Sequence, residues 1–100
     1  MISMEMLKKY NMLPLEEYKA MYGDSVDTEK TFYETFLAQT DHIPLKIIEA
    51  YTVFMVDNNV NVGNMKKFFA DVKEQYGEIL EARKFAREEI NRIESETATE

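Results

Sequence analysis

The side chains best able to move a proton here are Asp41 and His42, an adjacent carboxylate and imidazole of the kind used in general acid–base catalysis. Neighbours at the start of a helix point apart, so the pair reads first as capping chemistry. Glu16-Glu17 and Glu88-Glu89 are paired carboxylates, but both pairs fall in charged helical faces, where a solvated surface is the default. Arg83 and Arg87 stand four residues apart and place two guanidinium groups on one helix face, able to bind a carboxylate or a phosphate. No glycine-rich phosphate loop, H-E-x-x-H, G-x-S-x-G or EF-hand pattern occurs, so phosphate cradling, zinc hydrolysis, acyl transfer and calcium sensing lack their usual parts. One His and no Cys deny the chain a thiolate nucleophile, a disulfide frame and the common zinc ligand sets. The expectation is a protein with no catalytic, metal-binding or cofactor-binding residues, and not an enzyme.

The elements that position these residues follow from few breakers and strong periodicity. One hundred residues make one domain. With only 3 Gly and 2 Pro, long helices are favoured over a many-stranded sheet. The fold class read from this is all-α, a small bundle of four to five helices. Residues 1–23 hold two short ones. The first spans residues 3–10 and stops at Asn11; the second begins at Pro14, carries Glu16 and Glu17 in its first turn and ends at Gly23. Residues 27–56 hold two central helices, the first capped by Asp27 and carrying Phe32, Tyr33, Phe36 and Leu37, the second following a Thr40-Asp41 cap and running from His42 to Val56. That second helix keeps only Lys46, Glu49 and Thr52 as polar positions in its body, which predicts a place at the centre of the fold. Residues 51–62 also admit a short hairpin, because 51–56 are rich in β-branched and aromatic types. Residues 57–63 read as a turn in either case.

The strongest signal is a long C-terminal helix over residues 64–94, with 95–100 as a frayed tail. Placing Phe69, Tyr76, Arg83 and Ile90 at heptad position a puts Met65, Val72, Ile79, Ala86 and Ile93 at d, a seam of the kind a coiled coil or a helical hairpin requires. The stripe is wide and bulky up to Leu80, suited to packing on the preceding helices, and narrows from Arg83 onward. Arg83 has two readings: a polar seam residue that sets register, or a stem that packs while its head reaches a nearby Glu.

The charge arithmetic and the apolar inventory then narrow the function. Twelve basic against nineteen acidic side chains give −7, which argues against direct nucleic-acid binding. The start of the chain has no long uncharged run, so neither a signal peptide nor a membrane span is expected and the protein is read as cytoplasmic where it is made. Seven Met, six Phe and six Tyr are more anchoring and adaptable side chains than a domain this small buries. An exposed patch is expected from Tyr10, Met12, Tyr18, Met21, Tyr22 and Phe85. A self-association or partner seam is expected along Arg83, Ala86, Arg87, Ile90 and Ile93, because residues 61–100 are nearly balanced in charge, with 7 basic and 9 acidic side chains. The expected partner is a protein or a second copy, not a nucleic acid or a membrane.

Two segments carry a resemblance. Thr40-Asp41, then Lys46-Ile47-x-Glu49, then Arg83-x-x-x-Arg87-x-x-Ile90-Asn91, and separately the stretch M-L-P-L-E-E-Y-K-A-M-Y-G at residues 12–23, resemble short proteins of the tail-gene region of phages and prophages of Gram-positive bacteria. Together they cover about half the chain. His42 stands where the pattern has an aromatic, and residues 52–75 look like an insertion between two of its helices. The resemblance implies a tail-associated or assembly accessory role, virion-associated and non-enzymatic. An alternative from another class is a small acidic phage inhibitor that occupies a basic nucleic-acid channel of a host defence protein. A third is an enzyme-associated or regulatory helical module with no phage connection.

Overall fold

The computed structural model describes residues 1–57 and 60–98. Its described residues form five helices and no strand: α1 (Met4–Lys9), α2 (Leu15–Tyr22), α3 (Val26–Gln39), α4 (His42–Asp57) and α5 (Val62–Ala98). The protein is a small all-α bundle with a long C-terminal helix.

Local chemistry sets most helix ends. Ser3 accepts a hydrogen bond from the Met6 amide to start α1, and Asn11 leaves that helix in the left-handed region at φ 59°, a conformation Asn tolerates better than most residues. Gly23 ends α2 at φ +113°, which a side chain would strain. The cap of α3 is Ser25, whose Oγ accepts from the Thr28 amide. Asp27 was expected in that role, but the helix begins one residue before it, at Val26. Asn61 starts α5 by accepting from the Asn64 amide, so the helix opens two residues before Asn64.

Two boundaries differ further. Residues 51–57 are helical, so the hairpin alternative does not hold over them; Asn58 and Asn59 lie outside the described residues. Residues 95–98 continue α5 where a frayed tail was expected, held in part by the Thr97 hydroxyl, which donates to the Ile93 carbonyl at 3.0 Å. Residues 99 and 100 lie outside the described residues.

Packing follows from length. At ~1.5 Å per residue, α5 is a rod of about 55 Å, whereas α3 and α4 are roughly 21 and 24 Å. The two shorter helices lie end to end along it, both antiparallel to it. Thr40 meets Arg83 and Lys30 meets Glu94, which sets α3 against the C-terminal half of α5. Tyr51 and Phe54 meet Phe68, which sets α4 against the N-terminal half.

The core forms at one end only. Phe32, Tyr33 and Phe36 of α3 pack with Ile79, Ala82, Ala86 and Ile93 of α5, together with Ile2, Leu7 and Ile43. Tyr18 of α2 closes on Phe32 with ring centroids 5.5 Å apart. Beyond Ile43, no residue of α4 is buried. The expectation that α4 sits at the centre is therefore corrected. A helix apolar on most sides needs neighbours on most sides, and beyond its first turn the described residues supply α4 with α5 alone. The molecule measures 52 × 32 × 17 Å with a radius of gyration of 17.0 Å, against ~13 Å for a compact chain of this length. What projects is the α4–α5 hairpin.

Candidate functional site

The expected seam on α5 is occupied from within the chain. Ala86 is 0% exposed and Ile93 is 1% exposed, and Arg83 is buried as well; α3 covers all three. Ile90 packs partly buried against the same core, and Arg87 alone of the five is exposed. Periodicity placed this stripe correctly but did not say which helix fills it, and an intramolecular helix wins because it need not be brought in from solution.

Arg83 belongs to the joint between α3 and α5. Its guanidinium donates to the Leu37 carbonyl at 2.8 Å and to Thr40 Oγ1 at 2.6 Å, and Thr40 in turn donates to the Phe36 carbonyl at 2.8 Å. A cation there meets the negative end of the α3 dipole and carbonyls left free by the last turn. The partner is thus a helix terminus, not the Glu expected to receive the Arg83 head. Burial pulls the Arg83 pKa down and repulsion from Arg87 adds to this, while Asp41 opposes it. Arg83 Nε is buried without a hydrogen-bond partner. Thr40 was expected to cap α4; its hydroxyl instead turns back onto α3.

The expected exposed patch is split. Tyr10, Met12, Tyr18 and Phe85 pack partly buried against the core, because α1 and α2 fold onto α3. Met21 and Tyr22 remain on the surface. His42 and Asp41 are both exposed, and the His42 ring lies 6.1 Å from that of Tyr10. Among the described residues no group of three or more His, Cys, Asp or Glu is placed to hold a metal ion, and no helix is long and apolar enough to cross a membrane.

The ionic groups form a network along the α2–α3–α5 edge. Arg92 bridges Glu29, Glu89 and Glu96 at 2.8–3.2 Å, and Lys19 lies 3.7 Å from Asp24 and 3.9 Å from Glu29. These pairs lie at the surface and are partly exposed, where each adds little to stability. They do affect one buried group. Burial pushes the Tyr33 hydroxyl up to about 12, with Glu89 and Glu29 adding to the shift and Arg92 opposing it. The unfolded chain releases this proton near pH 10.0. Between the two values the folded state holds more protons, so stability falls as pH rises through that window. Urea midpoints measured across this range should fall less steeply for Tyr33→Phe than for the parent chain; identical slopes would show that Tyr33 does not carry the effect.

The surface that sequence reasoning missed is the hairpin. Leu45 and Ile48 are each 61% exposed and Val56 is 77% exposed, with Val53, Met55 and Phe69 also largely open. At 100° per residue, Leu45, Ile48, Thr52, Met55 and Val56 share one stripe about 100° wide, flanking the face of Ile47, Tyr51 and Phe54 that turns toward α5. Thr52 is the polar member, and its hydroxyl donates to the Ile48 carbonyl at 2.9 Å. Between the two helices a shallow groove of about 290 Å³ is lined by Ile47, Ile48, Tyr51, Phe68 and Phe69. The available signal was the apolar character of α4 on more sides than one helix can cover. No family model matches the chain, and no curated protein or solved structure matches it significantly.

Proposed function

We propose that this protein is a non-enzymatic protein-interaction module whose contact surface is the projecting α4–α5 hairpin. The observation that carries this reading is the open apolar stripe of Leu45, Ile48 and Val56. Soluble chains rarely leave contiguous apolar patches of more than a few hundred Å² uncovered unless a partner covers them. The hairpin also has few buried contacts of its own, which places it at the low-stability end of the fold and lets it order on contact.

The proposed setting is the tail region of a phage or prophage, as an accessory to assembly. What supports it is the resemblance carried by Thr40, Arg83 and their neighbours; those two residues form the α3–α5 joint, so the shared pattern would encode the body that presents the hairpin. The acidic-inhibitor alternative gains no specific observation, because Lys19, Lys30 and Arg92 are interleaved with the acids around them.

A photo-crosslinking residue at Val56, compared with one at the exposed Asn91, tests the reading in the cells that produce the protein. Protein adducts are expected at position 56 and not at 91. Adducts to lipid, or none at either position, would overturn it.

A further inference from the structure

We infer that the occupant of the hairpin surface is the same hairpin of a second copy, two arms closing into one four-helix bundle. This rests on the reading of the hairpin as a protein-contact surface and names its partner.

Charge points to a second copy. Residues 42–75 carry four basic and four acidic side chains, while residues 1–41 carry four and eight, and residues 76–100 carry four and seven. The whole −7 therefore resides outside the hairpin. Two copies meeting arm to arm bring neutral surfaces together and leave their acidic bodies at the far ends of molecules 52 Å long, beyond several Debye lengths at physiological salt. A basic partner would be drawn to the acidic bodies instead.

Shape and area agree. Leu45, Ile48, Thr52 and Met55 follow the 3-4-3 spacing of a helix–helix seam, so the matching occupant is another helix. The open apolar side chains of the stripe, Leu45, Ile48, Met55 and Val56, expose on the order of 400 Å² together, close to the apolar share of the ~800 Å² that one partner contributes to an interface of standard size. The one hydroxyl in the stripe, that of Thr52, already donates within its own helix, so covering it leaves no unsatisfied donor. A two-helix arm with an apolar outer stripe is incomplete alone; four such helices make a closed core.

Sedimentation equilibrium of the full chain tests this. The parent protein is expected to reach the mass of two chains with rising concentration. Ile48→Glu combined with Val56→Glu should hold it at one chain, while Met21→Glu with Tyr22→Glu should leave the association unchanged. Thermal melting followed by far-UV circular dichroism reports whether the arm variant remains folded. Because the chain has no native Cys, Thr52→Cys offers a second readout that needs no disruptive substitution. Under mild oxidation it should form a disulfide-linked pair, and Asn91→Cys should not. A parent chain that stays at one mass at high micromolar concentration, or an association that survives the paired Glu substitutions, overturns the second-copy inference. If that monomer still gives protein adducts at position 56 in cells, only the identity of the partner fails. If it gives none, or instead binds phosphatidylcholine vesicles, the protein-contact reading fails with it.

Discussion

Replacing Phe36 with Ala is expected to bring the protein to the edge of unfolding at room temperature. Phe36 is 0% exposed and lies where α3 meets α5, in the one cluster of buried side chains among the described residues. Truncating a buried Phe to Ala costs ~3–5 kcal/mol, part of it for the cavity left behind. A small domain typically has ~5 kcal/mol to lose at the low end of the usual range. No second core compensates, because the α4–α5 arm buries too little on its own. The same truncation also loosens the last turn of α3, where the Phe36 carbonyl accepts from Thr40. Urea titration followed by far-UV circular dichroism is the measurement: a large fall in helical signal before denaturant is added, or a midpoint near zero. A midpoint close to that of the parent would show that α3 does not anchor α5.

The Thr40–Arg83 joint carries the second large effect, and its two partners differ in what their loss costs. Thr40→Val removes one of the two acceptors of a buried guanidinium whose Nε already lacks a partner. Hydrogen bonds to charged groups are worth ~1.5–3 kcal/mol, and a loss of that order is expected. Arg83→Met should cost less, within about 1 kcal/mol of the parent, because it keeps an apolar stem of similar length and removes the desolvated charge altogether. What it forfeits is a cap on the Leu37 carbonyl. Combining the two substitutions should cost less than the sum, since without the guanidinium no charge is left to strand. Chemical denaturation of the parent, both single variants and the double variant closes this cycle. Strict additivity, or an Arg83→Met variant less stable than Thr40→Val, would falsify the account of Arg83 as a cation tolerated at a helix end.

Much of the secondary structure was legible in the residue order. Pro14 and Gly23 bracket α2, Asn11 stops α1, and the heptad of apolar residues from Met65 to Ile93 marks α5. Caps were less certain because Ser25 and Asp27 both have the right chemistry, and the hydrogen bond that decides between them depends on where the helix axis points. The contact surface was legible only in part. Met21 and Tyr22 are exposed as expected, but Tyr10, Met12, Tyr18 and Phe85 are not, because aromatic and Met side chains serve cores and interfaces alike. Of the α5 seam, Arg83, Ala86, Ile90 and Ile93 turn inward as the spacing implies and Arg87 does not, and the seam was assigned to a partner in solution.

The residue order by itself determined that the chain is helical, where most helices begin and end, and that it carries no glycine-rich phosphate loop, H-E-x-x-H, G-x-S-x-G or EF-hand pattern. These follow from local physics: caps, breakers and periodicity act within a few residues. Only the tertiary structure decided which apolar face is spent inside the chain and which remains open. A periodic stripe shows that a face needs covering and does not say by what. Here the answer came from lengths. A 37-residue helix outruns the 14-residue α3 that covers its C-terminal half, so α4 is laid beside the remainder, with α1 and α2 too short to reach it. The core closes around Phe36, and the hairpin is left with an apolar stripe facing water.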